Sequence, residues 1–192
     1  MNTNGYSLLE MLMAMTLMVI AGGAAIPLAH SSVDRSRAAG AAGYVAGRMA
    51  LARLEAVRRS AYVAIRFRAQ PDGYWLQSYA DGNRNGVRSA DIAQGIDIPI
   101  TANERLDYHF SGVEFGIQPG VTGIDPGPFN TSDPVQIGSS TLLSFSPTGS
   151  STSGTLFIRG LRGNQFAVRV LGATGRTRIF EFNFGERTWL VR

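Results

Sequence analysis

Residues 6–29 carry one charge, Glu10, in a run that is otherwise apolar or small. No other stretch limits the chain's folding so tightly. A helix rises about 1.5 Å per residue and a bilayer core is about 30 Å thick, so about 20 such residues span it. The run predicts a transmembrane helix over residues 6–30. Leu, Met, Ala and Ile dominate it, and most are strong helix formers. Three other readings compete. A cleaved secretory signal should have a basic leader, and residues 1–5 carry only the Met1 amine. A buried core helix is seldom uninterrupted at this length. A plain membrane anchor needs no carboxylate.

Glu10 is the residue to explain. A carboxylate at mid-bilayer costs about 2.5–3.5 kcal/mol. Ser7-Leu8-Leu9-Glu10 reads as a capping box, in which Ser7 and Glu10 satisfy free N–H groups at the helix start. An acid in the first turn also suits the helix dipole. Capping makes Glu10 tolerable but leaves open why the helix begins directly behind Gly5.

Gly5-Tyr6-Ser7-Leu8-Leu9-Glu10-Met11 resembles the cleavage motif of type IV pilins and type II secretion pseudopilins. The resemblance implies that residues 1–5 are a prepilin leader, cut by prepilin peptidase between Gly5 and Tyr6, and that Tyr6 is then N-methylated. It implies that Glu10 serves subunit assembly by pairing with the free amine of a neighbouring subunit. A buried ion pair of this kind costs about 3–5 kcal/mol to break from one side. It also implies a helix kink at Pro27, behind Gly22-Gly23. The usual leader of this family is basic and its commoner residue at the new terminus is Phe.

Composition narrows the rest. The 192 residues leave room for one domain plus an appendage. With no Cys there is no disulfide and no thiolate chemistry. The net charge of +4 is segregated: residues 31–68 sum to +6, residues 69–140 to −6 and residues 141–192 to +5. Such a bipolar surface suits packing against copies or related subunits, and the basic ends suit phosphate.

Residues 31–60 are expected to continue as an amphipathic helix, with Val45, Met49, Leu54 and Val57 as its apolar stripe. Gly40, Gly43 and Gly47 then serve close packing. Residues 50–60 and the following Val63-Ala64-Ile65 resemble the helix-to-strand passage of the GspH/FimT branch. From residue 61 the period changes to two. Strands are expected over 62–79 as a hairpin turning at Pro71-Asp72-Gly73, then over 105–117, 141–145, 155–159, 166–171, 176–184 and 188–191. Residues 118–133 read as an exposed Gly/Pro loop. The C-terminal strands, with Gly175-Arg176-Thr177-Arg178-Ile179, resemble the same branch. The expected fold class is α+β and pilin-like. Its long N-terminal helix has a transmembrane front half and packs on a C-terminal antiparallel β-sheet head over residues 61–192.

Two candidate ligand sites stand out. Asp81, Asn83, Asn85 and Asp91 approximate a calcium loop, but the acid needed twelve residues in falls one short, so an Asn/Gly turn competes. Arg176 and Arg178 lie two apart and share one strand face. In the GspH/FimT branch a Gly-Arg-x-Arg motif here is associated with DNA binding, and a forked guanidinium reaches phosphate well. A solvated face or a subunit contact are the alternatives. No catalytic motif is present, and His109 reads as a structural or surface residue. No enzyme activity and no cofactor are expected.

The resemblance implies a minor pilin or pseudopilin that initiates or caps a type II secretion pseudopilus or type IV pilus. The alternative is a DNA-binding minor pilin for natural transformation. Implied partners are other pilins, prepilin peptidase, the inner-membrane assembly platform, membrane lipid and, in the alternative, DNA. The implied location is the bacterial inner membrane, single-pass with a periplasmic head, and then a filament.

Overall fold

The computed structural model describes residues 7–138 and 140–192, with backbone alone for residues 21–30. Leu8–Arg59 form one helix of 52 residues, α1, about 80 Å long at 1.5 Å per residue. Ser7 caps it, its Oγ accepting from the Leu9 N–H at 3.2 Å. Only half of the expected capping box is made. Glu10 is exposed, and among the described residues its carboxylate accepts no hydrogen bond. At the far end Ser60 adopts a left-handed backbone, φ 50°, and the Ala61 N–H returns to the Ala56 carbonyl. Arg58 and Arg59 close the last turn, both 2.8 Å from Glu55, a placement that suits the helix dipole.

The head holds two antiparallel sheets. β1 (Val63–Gln70) and β2 (Gly73–Ala80) form a hairpin across Pro71-Asp72, with Gln70 opposite Gly73. Gly73 takes φ 120°, which a side chain would oppose. A short helix, α2 (Ser89–Ala93), leads to β3 (Ile98–Pro99), which edges β2. A 3₁₀ turn over Leu106–Tyr108 precedes β4 (Glu114–Phe115). β5 (Val135–Gln136) and β6 (Leu142–Phe145) follow, and β6 pairs with β1. The first sheet therefore runs β3-β2-β1-β6. β7 (Gly154–Arg159), β8 (Gln165–Leu171), β9 (Arg176–Asn183) and β10 (Thr188–Val191) then form a meander. β4 and β5 share the outer edge of β7, giving β10-β9-β8-β7-β4 with β5 beside it.

α1 joins the sheets. Ala38, Ala41, Ala42, Val45, Met49, Ala52 and Ala56 are buried in one core with Ile65 and Phe67 of β1, Phe145 of β6 and Phe166 and Val168 of β8. Small side chains let the helix axis approach both sheets closely. Asp34 straps the helix to the β7–β8 turn, accepting from the backbone N–H groups of Leu161 and Arg162 and from Asn164 Nδ2. Gln165, 1% exposed, gives its amide to the carbonyls of Gly116, Ile158 and Phe166 and accepts from the Gln118 N–H. Every polar atom of that buried amide is thus engaged, as burial requires.

The expected fold is corrected on two counts. Among the described residues no helix is long and apolar enough to cross a membrane, so the transmembrane front half is withdrawn. The described apolar side chains from Leu8 to Ile20 cover about 20 Å of helix, against a bilayer core of about 30 Å. In place of the expected pilin-like antiparallel β-sheet head, the described residues form three helical segments and two antiparallel sheets. The chain changes sheets after Phe145, where the turn over residues 146–150 folds back to bridge Ser151 to Phe145.

Local expectations shift too. The strand expected over 105–117 is mostly the 3₁₀ turn, with only Glu114–Phe115 extended. The helix stripe runs through Ala52 and Ala56, whereas Leu54 and Val57 face outward at 61% and 47% exposure. Close packing holds for Gly40 alone, where a Cβ would lie 2.9 Å from Phe110; Gly43 and Gly47 face open space.

Candidate functional site

Two surfaces carry groups that the fold leaves uncovered. The first is the front of α1. Leu8, Leu9, Met11, Leu12, Met13, Met15, Leu17, Met18, Val19 and Ile20 are all largely exposed. They lie on every side of the helix, since consecutive residues turn by about 100°. A helix that is apolar all round is one that sits among neighbours. Glu10 is the one charge in this surface. Gly5 and Tyr6 lie outside the described residues. Pro27 lies within α1, which continues through it as one helix. His30 falls among the residues described by backbone alone.

The second surface is the back of α1 where it meets β9. Gly43, Gly47, Ala50, Leu51, Leu54 and Val57 lie within about 60° of one line along the helix, opposite the core, and all are exposed. No charge interrupts this strip before Arg58. Beside it is a groove of about 600 Å³ between Ala50, Arg53, Leu54 and Val57 on one wall and Gly175, Arg176 and Thr177 on the other. Arg53 crosses its floor, donating from Nε to the Gly149 carbonyl at 2.9 Å. A Cβ on Gly175 would lie 3.0 Å from the Arg53 Cδ and 2.4 Å from the Gly149 carbonyl oxygen, and Gly175 takes φ 61°. Glycine is what lets the β8–β9 turn close over the arginine.

Arg176 and Arg178 lie on β9 as the alternation predicts. Thr177, Ile179 and Glu181 face α1; Arg176 and Arg178 face away from it and are exposed. Across the ladder Arg178 stands opposite Arg169 of β8, and Arg176 opposite Leu171. The three guanidiniums therefore share one face. Arg169 is held in a fork by Asp125, at 2.8 and 2.7 Å. That hydrogen-bonded arginine holds the Asp125 carboxyl below the usual carboxylate range, against opposing burial. Among the described residues Arg176 and Arg178 have no carboxylate partner. Arg187 lies in the β9–β10 turn with φ 53°, along a shallow cleft shared with Asp125.

The calcium candidates form a turn held by its own backbone. Asp81 Oδ1 accepts from the N–H groups of Asn83 and Arg84, and Oδ2 from Gly86. Asn83 Nδ2 points at Asp91 Oδ2, 3.4 Å away. Asn85 donates its N–H to Asn83 Oδ1. The inward oxygens of Asp81 thus face N–H groups. Among the described residues no group of three or more His, Cys, Asp or Glu gathers to hold a metal. Asp97, which sequence reasoning passed over, anchors the same loop by accepting from Gly82 and Arg88.

His109 is drawn to α1. Its ring lies 5.0 Å from that of Tyr44, and its Nε2 lies 3.3 Å from Glu104 Oε2. The same carboxylate accepts from the Tyr44 hydroxyl at 2.6 Å and sits 2.8 Å from Arg48. Burial foremost, and then the bond to Glu104, raises the Tyr44 hydroxyl above its ordinary range. Glu104 is approached from three sides, with Oε2 taking the hydrogen bond and Oε1 held only by the charge of Arg48, and the group reads as a brace between α1 and the loop after β3.

Sequence reasoning missed Asp34 and Arg53, whose partners lie about a hundred residues away or more. It also placed Leu54 and Val57 inside. Following alanines at helical spacing, through Ala38, Ala41, Ala42, Ala52 and Ala56, would have found the true core face and hence the exposed strip. The chain matches no family model, no curated protein and no solved structure.

Proposed function

We propose that the chain is a structural filament subunit of minor pilin or pseudopilin type, one that initiates or caps a type II secretion pseudopilus or type IV pilus. The observation that carries this reading is the all-round apolar exposure of Leu8–Ile20, with one free carboxylate, on a helix rooted in a packed head. Burying a Leu or Met side chain is worth about 1.5–3 kcal/mol, so covering ten such residues releases on the order of 15 kcal/mol. Burying one carboxylate costs about 3 kcal/mol by comparison. Neighbouring subunits that cover the helix and offer Glu10 a cation gain on both counts. The proposed precursor is cut between Gly5 and Tyr6. The test is incorporation: Glu10→Ala should yield a folded protein that enters filaments poorly, and wild-type subunits should carry an N-methylated Tyr6 terminus by mass spectrometry. An intact Met1 terminus in cells with active peptidase sinks this reading.

One observation favours a second reading, DNA capture during natural transformation. Arg176 and Arg178 are exposed and unneutralised on one face. Sequence-independent phosphate contact needs little more. A gel shift of the full chain at two salt concentrations tests it; no shift at low salt removes it.

A further inference from the structure

We propose that Arg169 is a third phosphate-binding residue beside Arg176 and Arg178, and that Asp125 holds it in reserve by occupying the fork a DNA phosphate would take. This rests on the DNA-capture reading and adds its regulation.

Strand alternation defines the face. Leu156 and Ile158 of β7, Phe166 and Val168 of β8 and Ile179 of β9 pack in the core with α1. Their neighbours in sequence turn the other way. Register sets those neighbours in two rows. Thr155, Arg169 and Arg178 stand opposite one another, and Phe157, Ala167 and Phe180 form the next row. Opposite residues lie about 4.5–5.5 Å apart, and Arg176 and Arg178 lie about 7 Å apart along β9.

The loop over residues 117–133 lies on the apolar row. Ile117, Ile124 and Phe129 pack against Phe157, Ala167 and Phe180, and the Trp189 indole N–H donates to the Thr122 carbonyl at 2.9 Å. These contacts fix the loop on both sides of Asp125 without help from its charge. Asp125 reaches the row of arginines and takes two guanidinium nitrogens of Arg169, at 2.8 and 2.7 Å.

Carboxylate and phosphate present the same paired oxygens to an arginine. Asp125 therefore stands where a phosphate would bind. Its side chain is 68% exposed, and an ion pair so open to water is weak enough to exchange. Exchange leaves the Asp125 carboxylate facing the phosphate backbone, so a phosphate reaches Arg169 only against that repulsion. Arg187 borders the cleft of about 440 Å³ that Asp125 lines, and among the described residues it has no carboxylate partner. An approaching phosphate thus meets a free cation beside the occupied one. Arg176 and Arg178 bind at once, and Asp125 sets whether the third arginine joins them.

Asp125→Asn removes the charge and leaves the loop's apolar anchors in place. The full chain in a neutral detergent is titrated with short labelled double-stranded DNA at several salt concentrations. The variant should bind more tightly than wild type. Its slope of log affinity against log salt should steepen by about 0.9, or about 3.5-fold more affinity lost between about 50 and 200 mM salt. Asp125→Asn with Arg169→Gln should return both to wild-type values. Asp107→Asn makes the same charge change beside Arg105 and should give no such gain. Wild-type binding with an unchanged slope in Asp125→Asn overturns the proposal and leaves DNA capture standing. So does an equal gain from Asp107→Asn, which would make net charge the cause. A gain that survives Arg169→Gln also overturns it, because another cation then takes the phosphate. No binding by wild type or by Asp125→Asn at the lowest salt removes the DNA reading and this proposal with it.

Discussion

Asp34 of α1 and Asn164 of the β7–β8 turn are joined by a 2.6 Å hydrogen bond, across 130 residues of sequence. The same carboxylate takes two backbone N–H groups of that turn, at 2.9 and 3.1 Å. Among the α1 side chains described, it is the first that is buried. Asp34→Ala should therefore loosen the helix from the second sheet. Hydrogen bonds to a charged group contribute about 1.5–3 kcal/mol each, and water recovers part of that, so a loss of about 3 kcal/mol is expected in chemical denaturation.

Glycines along α1 should divide by what faces them. Gly43→Ala and Gly47→Ala meet nothing within 4 Å. Each should raise the stability of the isolated chain by up to about 1 kcal/mol through helix propensity. Gly40→Ala presses on Phe110 at 2.9 Å, and overpacking of this kind costs about 1–3 kcal/mol. Its expected net effect is destabilising. Thermal denaturation of the three variants decides this.

Acid should act through Glu181. The hydrogen bond from Arg35 foremost, and Arg192 as well, hold its carboxyl below the usual range, with burial opposing. A depressed carboxylate pKa contributes stability fully above the unfolded value, about 4.3, and loses it as pH falls through the folded value. The melting temperature of the wild type should therefore fall more steeply below about pH 4.3 than that of Glu181→Gln. Parallel curves would show that the ion pair contributes nothing.

Arg176→Ala with Arg178→Ala should leave the melting temperature unchanged, since neither guanidinium has a partner among the described residues. If DNA is a ligand, the pair should weaken binding and flatten its salt dependence by about two phosphate contacts. Titration at several salt concentrations measures the slope.

Some of this was legible without coordinates. The hairpin of β1 and β2 was readable because Val63, Ile65 and Phe67 alternate and Pro71-Asp72-Gly73 turns the chain, all of which are local effects. The meander from β7 to β10 was readable for the same reason. The 105–117 stretch was misread because Leu106, Tyr108 and Phe110 alternate like a strand. Leu106 is instead the buried residue of a 3₁₀ turn that packs beside β4, with Tyr108 edge-on to Trp75 of β2. Alternation cannot distinguish the two when the partners are distant.

The amino-acid sequence alone determined the long helix, its single front-half carboxylate and the strand-forming segments of the head. Each follows from periodicity, capping and turn chemistry within a few residues. Only the tertiary structure decided that there are two sheets, that alanines and not Leu54 and Val57 form the helix's buried face, and that Arg53 and Arg176 line one groove. Those outcomes depend on which surfaces meet. The core selected the side chains small enough for α1 to approach both sheets, and left the larger ones outside beside two arginines.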